Sequence, residues 1–161
     1  MISMSQKNLI QAFILLATNL VCIGLSAQTY TLGSSPATNN ATINTCTGTF
    51  LDSGGSGADY GSNQNTTVTF CSNNSKQMVM NFSSFNLEGG SCDNDYLRIY
   101  DGNSTSATLI GTFCGTNSPG IITASGTCLT VQFVSNGSTV AAGWQAALSC
   151  YECIDNNTCA T

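Results

Sequence analysis

The chain has 161 residues, enough for one domain with a hydrophobic core, and 42% of its residues are hydrophobic while only 7% are charged. Its formal net charge is −5, and its only basic residues are Lys7, Lys76 and Arg98, so it lacks the cationic surface that binding to nucleic acid or to an anionic membrane requires. It contains no histidine, which excludes a Ser-His-Asp catalytic site.

The N-terminal segment has the pattern of an export signal. An apolar run over residues 9–25 follows Lys7 and precedes two small residues. This order predicts a signal peptide over residues 1–27 and a secreted or cell-surface protein with no membrane insertion after signal removal. An uncleaved membrane anchor is one alternative, and a lipoprotein site at Cys22 is another.

Polar and apolar residues then alternate in short segments. Residues 28–45 are polar and predict a linker or a loosely paired first strand. Over residues 46–150 the strand signals are separated by turn clusters, and none has a sustained helical stripe, which predicts an all-β, two-sheet antiparallel β-sandwich or jelly roll. Residues 151–161 predict a cysteine-containing tail or the start of a following module. The predicted strands lie at residues 66–70, 78–82, 96–100, 109–110, 129–133 and 144–148.

Removal of the leader leaves an even number of cysteines, which indicates disulfides in an exported chain. They allow on the order of 100 pairings, so spacing alone cannot choose among them. A zinc site is disfavoured because histidines are absent, and a redox dithiol at Cys150-x-x-Cys153 is disfavoured because no βαβ unit accompanies it. The eight cysteines are Cys46, Cys71, Cys92, Cys114, Cys128, Cys150, Cys153 and Cys159.

The most specific motif is F-N-L-E at residues 85–88, followed by C-D-N-D-Y-L-R-I-Y-D-G at residues 92–102. It resembles the calcium-binding segment of CUB domains. The resemblance covers about residues 46–150 and implies a jelly-roll sandwich that acts as a non-catalytic extracellular binding module. The D-S-G-G loop and the end of the leader are similar to secreted bacterial CUB-like modules. Supporting motifs, in family order, are C-T-G-T-F at 46–50, F-C-G at 113–115, L-T-V-Q-F-V-S-N at 129–136 and G-W at 143–144.

The resemblance implies a disulfide between Cys92 and Cys114. The second cysteine of the family usually precedes a strand that Cys71 follows here, so a bond between Cys46 and Cys71 is expected but not secured. The other expected pairs are Cys128 with Cys150, at matching ends of the last two predicted strands, and Cys153 with Cys159.

The resemblance also implies a calcium site. Glu88 and Asp95 would supply carboxylates, Asn136 an amide oxygen where the family has an aspartate, and Tyr60 a supporting hydrogen bond. Calcium takes six to eight oxygen ligands, so backbone carbonyls and water would complete the set. The asparagine removes one negative charge and should weaken binding. The alternative is that Glu88 and Asp95 are solvated loop acids, and that Asn136-Gly137 is a hairpin turn.

Two hypotheses for function follow. The first is a binding module, in which a basic group of a protein partner, or a carbohydrate stacked on Tyr60 and exposed aromatic residues, docks beside the metal loops. The second is a disulfide-stapled spacer or cap of a larger surface protein, with no ligand of its own. Glu88 and Asp95 could form a glycosidase pair, but calcium or solvent explains them better, so no enzymatic activity is expected.

Overall fold

The computed structural model describes residues 27–151, which form ten strands and no membrane-spanning helix. The predicted signal peptide up to residue 26, and the tail from residue 152 with Cys153 and Cys159, lie outside the described residues. The strands are β1 (Thr29–Thr31), β2 (Ala41–Asn44), β3 (Thr47–Leu51), β4 (Asn65–Cys71), β5 (Gln77–Asn86), β6 (Tyr96–Asp101), β7 (Thr108–Phe113), β8 (Ile121–Thr123), β9 (Cys128–Val134) and β10 (Gly143–Tyr151).

These strands form two sheets of five. One sheet has the order β1-β3-β10-β5-β8 and the other has the order β2-β4-β9-β6-β7. The predicted all-β, two-sheet jelly-roll sandwich is therefore confirmed. Successive side chains of a strand point to opposite faces, so each strand sends one row of residues into the space between the sheets. The buried rows include Leu129, Val131 and Phe133 on β9 and Trp144, Ala146 and Leu148 on β10.

A chain of aromatic contacts runs through this core from one sheet to the other. The ring centre of Phe70 lies 4.9 Å from that of Phe50, and the ring centre of Phe50 lies 5.6 Å from that of Trp144. Phe133 lies 5.0 Å from Trp144 and 5.1 Å from Tyr60. Tilted and edge-on ring pairs add about 0.5–1.5 kcal/mol each beyond their buried area. This packing fixes the position of the Tyr60 ring.

Residues 28–45 contain two short strands rather than one. Strand β1 pairs with β3 and β2 pairs with β4, both in parallel. Tyr30 and Ile43 are buried and anchor these strands in the core. Each strand is only three or four residues long, too short for the alternation of residue types to show in the sequence.

The disulfides differ from two of the expected pairings. Cys46 bonds to Cys150 and Cys71 bonds to Cys128, so the expected Cys46–Cys71 and Cys128–Cys150 bonds are wrong. The strand register gives the reason. Cys71 on β4 lies directly opposite Cys128 on β9. Cys46 immediately precedes Thr47 of β3, and Thr47 pairs with Ser149, the residue before Cys150 on β10. Each of these two bonds therefore joins segments that are neighbours in one sheet.

One end of the sandwich, which we call the rim, is where β5 and β9 end and β4, β6 and β10 begin. The register places both Tyr96 and Asn65 beside Val134, and Gly143 beside Asn86. Cys46–Cys150 and Cys71–Cys128 lie at the opposite end of the same strands. The loops that meet at the rim cover residues 52–64, 87–95 and 135–142.

Candidate functional site

Asp95 lies at the centre of the rim. It immediately precedes β6 and is only 1% exposed. Its Oδ2 accepts a hydrogen bond from the Tyr60 hydroxyl at 2.5 Å, and its Oδ1 accepts one from the Asn136 backbone N–H at 2.7 Å. A buried carboxylate requires such donors, because its desolvation is otherwise unfavourable. Asp95 thus ties the start of β6 to the loops before β4 and after β9.

Tyr60 supplies one of these donors and is itself 1% exposed. Its hydroxyl gives its proton to Asp95 and accepts the Glu88 backbone N–H at 2.9 Å. Burial, and then the hydrogen bond to Asp95, raise the pKa of Tyr60 well above its ordinary value of 10.0. The hydroxyl therefore remains a donor to Asp95 throughout the neutral range.

Asn136 contacts both acidic residues. Its backbone N–H donates to Asp95, and its side-chain Nδ2 donates to Glu88 Oε2 at 2.8 Å. Its Oδ1 accepts the Ser138 backbone N–H at 2.8 Å and the Ser138 hydroxyl at 2.9 Å. A backbone N–H can only donate, so the amide oxygen is held towards Ser138 and the NH₂ group towards Glu88.

The backbone of Leu87 and Glu88 is also held in place. Leu87 N–H donates to the Gly115 carbonyl at 2.8 Å, and Gly115 N–H donates to the Glu88 carbonyl at 3.1 Å. The Cys92–Cys114 disulfide joins the same two segments, as the resemblance implied. Glu88 therefore projects from a braced backbone.

The structure brings together the four residues predicted for the calcium site: Tyr60, Glu88, Asp95 and Asn136. We call them the rim cluster. Calcium requires six to eight oxygen ligands, and the Asn136 amide as oriented does not fit a calcium ion beside Glu88. Each Asp95 oxygen already accepts one hydrogen bond, and Asn136 faces Glu88 with protons rather than with its oxygen. Among the described residues no group of three or more His, Cys, Asp or Glu side chains could hold a metal ion.

A further carboxylate at this end was not singled out from the sequence. Asp52 follows β3, is 1% exposed, and accepts the backbone N–H groups of Gly54 at 2.7 Å and Trp144 at 3.0 Å. Burial raises the pKa of the Asp52 carboxyl above its ordinary value. Its role is to join the end of β3 to the start of β10. An aspartate two residues before a glycine at a strand end is a turn signal that could have indicated it.

The protein is thus an all-β module: a disulfide-braced β-sandwich with a cluster of acidic loop residues at one end. The CUB domain model matches residues 40–148, and the chain belongs to the CUB family. The resemblance seen in the sequence is confirmed.

Relatives and solved structures agree with this assignment. Cubilin from Sus scrofa is 44% identical over 75 residues, 44% of this chain and 2% of cubilin. Procollagen C-endopeptidase enhancer 2 from Mus musculus is 33% identical over 121 residues, 71% of this chain and 29% of that protein. The chain thus spans only a small part of these relatives. Both are animal proteins, so the expected bacterial type finds no support.

The crystal structure of the MASP-1 CUB2 domain bound to Ca²⁺ has a TM-score of 0.59 at 22% identity, and the match covers 69% of this chain and 98% of that one. At this identity the likeness shows the shared fold alone. The calcium ion named in that structure belongs to MASP-1, and it raises the question of what holds the corresponding loops together here.

Proposed function

We propose that this chain is a secreted or cell-surface, non-catalytic binding module that docks a basic segment of a protein partner at the rim. The observation that carries the proposal is the concentration of acidic residues at that end. Asp93 and Asp59 are exposed there, and Glu88 is half-buried. Membership of the CUB family supports an extracellular binding role.

Of the two described basic residues, Lys76 lies at the far end of the sandwich from these acids, and Arg98 is occupied by a ring contact. Lys76 precedes β5, whereas Glu88 follows the far end of that ten-residue strand. The Arg98 guanidinium lies 4.5 Å from the centre of the Tyr96 ring, which it covers. A basic group of a partner would therefore meet a negative potential at the rim, which favours both encounter and orientation.

Glu88 is prepared for such a contact before any partner arrives. Its backbone is fixed by Tyr60 and Gly115, and one oxygen of its carboxylate is fixed by Asn136. Less side-chain freedom is lost on binding when the residue is already ordered. Catalysis by the pair Glu88 and Asp95 is not supported, because Asp95 is only 1% exposed and so is shielded from a substrate.

A carbohydrate is less well supported as the ligand. The stacking role expected of Tyr60 is wrong, because its ring is packed in the core against Phe133. Tyr151 is a large exposed aromatic residue, but it lies at the end of β10, opposite the rim. A spacer without a ligand remains the alternative that the following experiment distinguishes.

The test uses a tetralysine peptide and its fully acetylated counterpart as probes, with the ¹⁵N-labelled mature chain at low salt. We expect amide shifts confined to the rim loops, residues 52–64, 87–95 and 135–142, with the charged peptide only. Asp93→Asn should weaken binding by about two- to fivefold, as for an exposed ion pair. Added salt should weaken it further.

Asp101→Asn is the matched control. Asp101 ends β6 at the opposite end of the sandwich, and its Oδ1 accepts the Ser125 N–H, which an asparagine oxygen can also accept. This variant should bind the peptide as the wild type does. No binding, shifts scattered over the whole surface, or an equal loss in both variants would reject docking at the rim and favour the spacer.

A further inference from the structure

The rim cluster contains two carboxylates whose mutual repulsion must be offset by proton donors or by a cation. Glu88 and Asp95 both approach Asn136, and like charges brought to one place repel each other. A divalent cation is one way to relieve that repulsion. In this structure Asn136 provides two proton donors instead, its backbone N–H to Asp95 and its Nδ2 to Glu88.

The orientation of the Asn136 amide is determined by its other neighbour. Ser138 donates to Asn136 Oδ1 through both its backbone N–H and its hydroxyl. A flipped amide would place NH₂ against the Ser138 N–H, donor against donor, and would turn its oxygen towards the Glu88 carboxylate. Both contacts would then be unfavourable.

We propose that Asn136 closes the rim cluster with its own protons, so that this CUB domain holds Glu88 and Asp95 together without calcium. An aspartate at position 136 could still accept from Ser138, but its second oxygen would face Glu88 Oε2. Three carboxylates would then meet with no donor between the side chains of residues 136 and 88, and a cation would be needed there. The proposal does not depend on whether the rim docks a basic partner.

The first test is a calcium titration of the wild-type mature chain. Its readouts are the melting temperature and the heat of binding measured by isothermal titration calorimetry. We expect no saturable change between EDTA and about 10 mM calcium, a range that covers extracellular calcium modules. A saturable rise with calcium but not magnesium, abolished by Glu88→Gln, would overturn the proposal. The wild-type titration does not depend on whether a variant folds.

The second test is Asn136→Asp. We expect its melting temperature to be below that of the wild type in EDTA and to rise by about 5–10 °C with calcium. Asn94→Asp is the matched control, because it adds the same charge to the exposed part of the 87–95 loop and should not create a calcium response. A folded Asn136→Asp variant whose melting temperature does not change with calcium would refute the proposal that the Asn136 protons take the place of a cation.

Discussion

The Tyr60 hydroxyl serves two loops at once. It donates to the buried Asp95 carboxylate and accepts from the Glu88 backbone, while its ring is held against Phe133 in the core. Core packing is thereby transmitted to the position of both rim acids. One aromatic residue thus orients the cluster although it exposes almost nothing to solvent.

Tyr60→Phe should therefore destabilise the domain by about 1.5–3 kcal/mol, because it removes a hydrogen bond to a buried charge and leaves the Glu88 N–H without its acceptor. Tyr100→Phe is the control: its hydroxyl donates to the half-buried Gln132 at 3.1 Å, and its loss should cost about 0.5–1 kcal/mol. Urea unfolding with unchanged m-values measures both. Equal losses in the two variants would contradict this role of Tyr60.

The sequence predicted which residues meet at the rim but not how they meet. Glu88, Asp95 and Asn136 lie next to strand ends, and the family motif orders those strands, so their convergence could be expected. The direction of the Asn136 amide could not, because it depends on the Ser138 backbone two residues further along. That contact turns an expected oxygen ligand into a proton donor.

At the scale of the strands, the start of β10 and the end of β3 are joined by a close approach. Gly143 has φ +70°, and a Cβ on it would collide with the Asp52 carboxylate. Asp52 cannot withdraw freely, because it accepts the N–H groups of Gly54 and Trp144. The glycine is thus required by both its backbone conformation and the space beside it.

Gly143→Ala should cost about 2–4 kcal/mol, which combines the left-handed backbone with overpacking against a buried residue. Gly89→Ala is the control, because Gly89 has no atom within 4 Å of the corresponding Cβ position and lies in an exposed part of the rim. It should change stability by less than about 0.5 kcal/mol. Thermal unfolding of both variants measures this difference, and similar melting temperatures would disprove it.

Strand prediction succeeded where alternation was long enough to see. The period of two in β9 and β10 identified both strands and their buried faces. Strands β1, β2 and β8 have three or four residues each, and their pairing depends on partners distant in sequence. The two mispaired disulfides have the same cause, because strand register, which no local pattern reveals, decides which cysteines lie opposite each other.

Within residues 27–151, which the structure describes, three disulfides are nested in the sequence. Cys46–Cys150 encloses Cys71–Cys128, which in turn encloses Cys92–Cys114, with separations of 104, 57 and 22 residues. The outer two hold the end of the sandwich remote from the rim. The inner one joins the segments that carry Glu88 and Gly115. Global stability and rim order should therefore depend on different bonds.

Replacing both cysteines of a bond by alanine tests this division. Loss of Cys46–Cys150 should cost about 4 kcal/mol, since the bonds inside it shorten the loop it closes to roughly 50 residues, and loss of Cys92–Cys114 about 3.4 kcal/mol. Only the second should speed amide exchange at Glu88 and Asp95, because only that bond braces the 87–95 loop. Urea unfolding and native-state hydrogen exchange measure the two effects. Faster exchange at those amides in the outer variant alone would show that the rim is held from the far end of the sandwich instead.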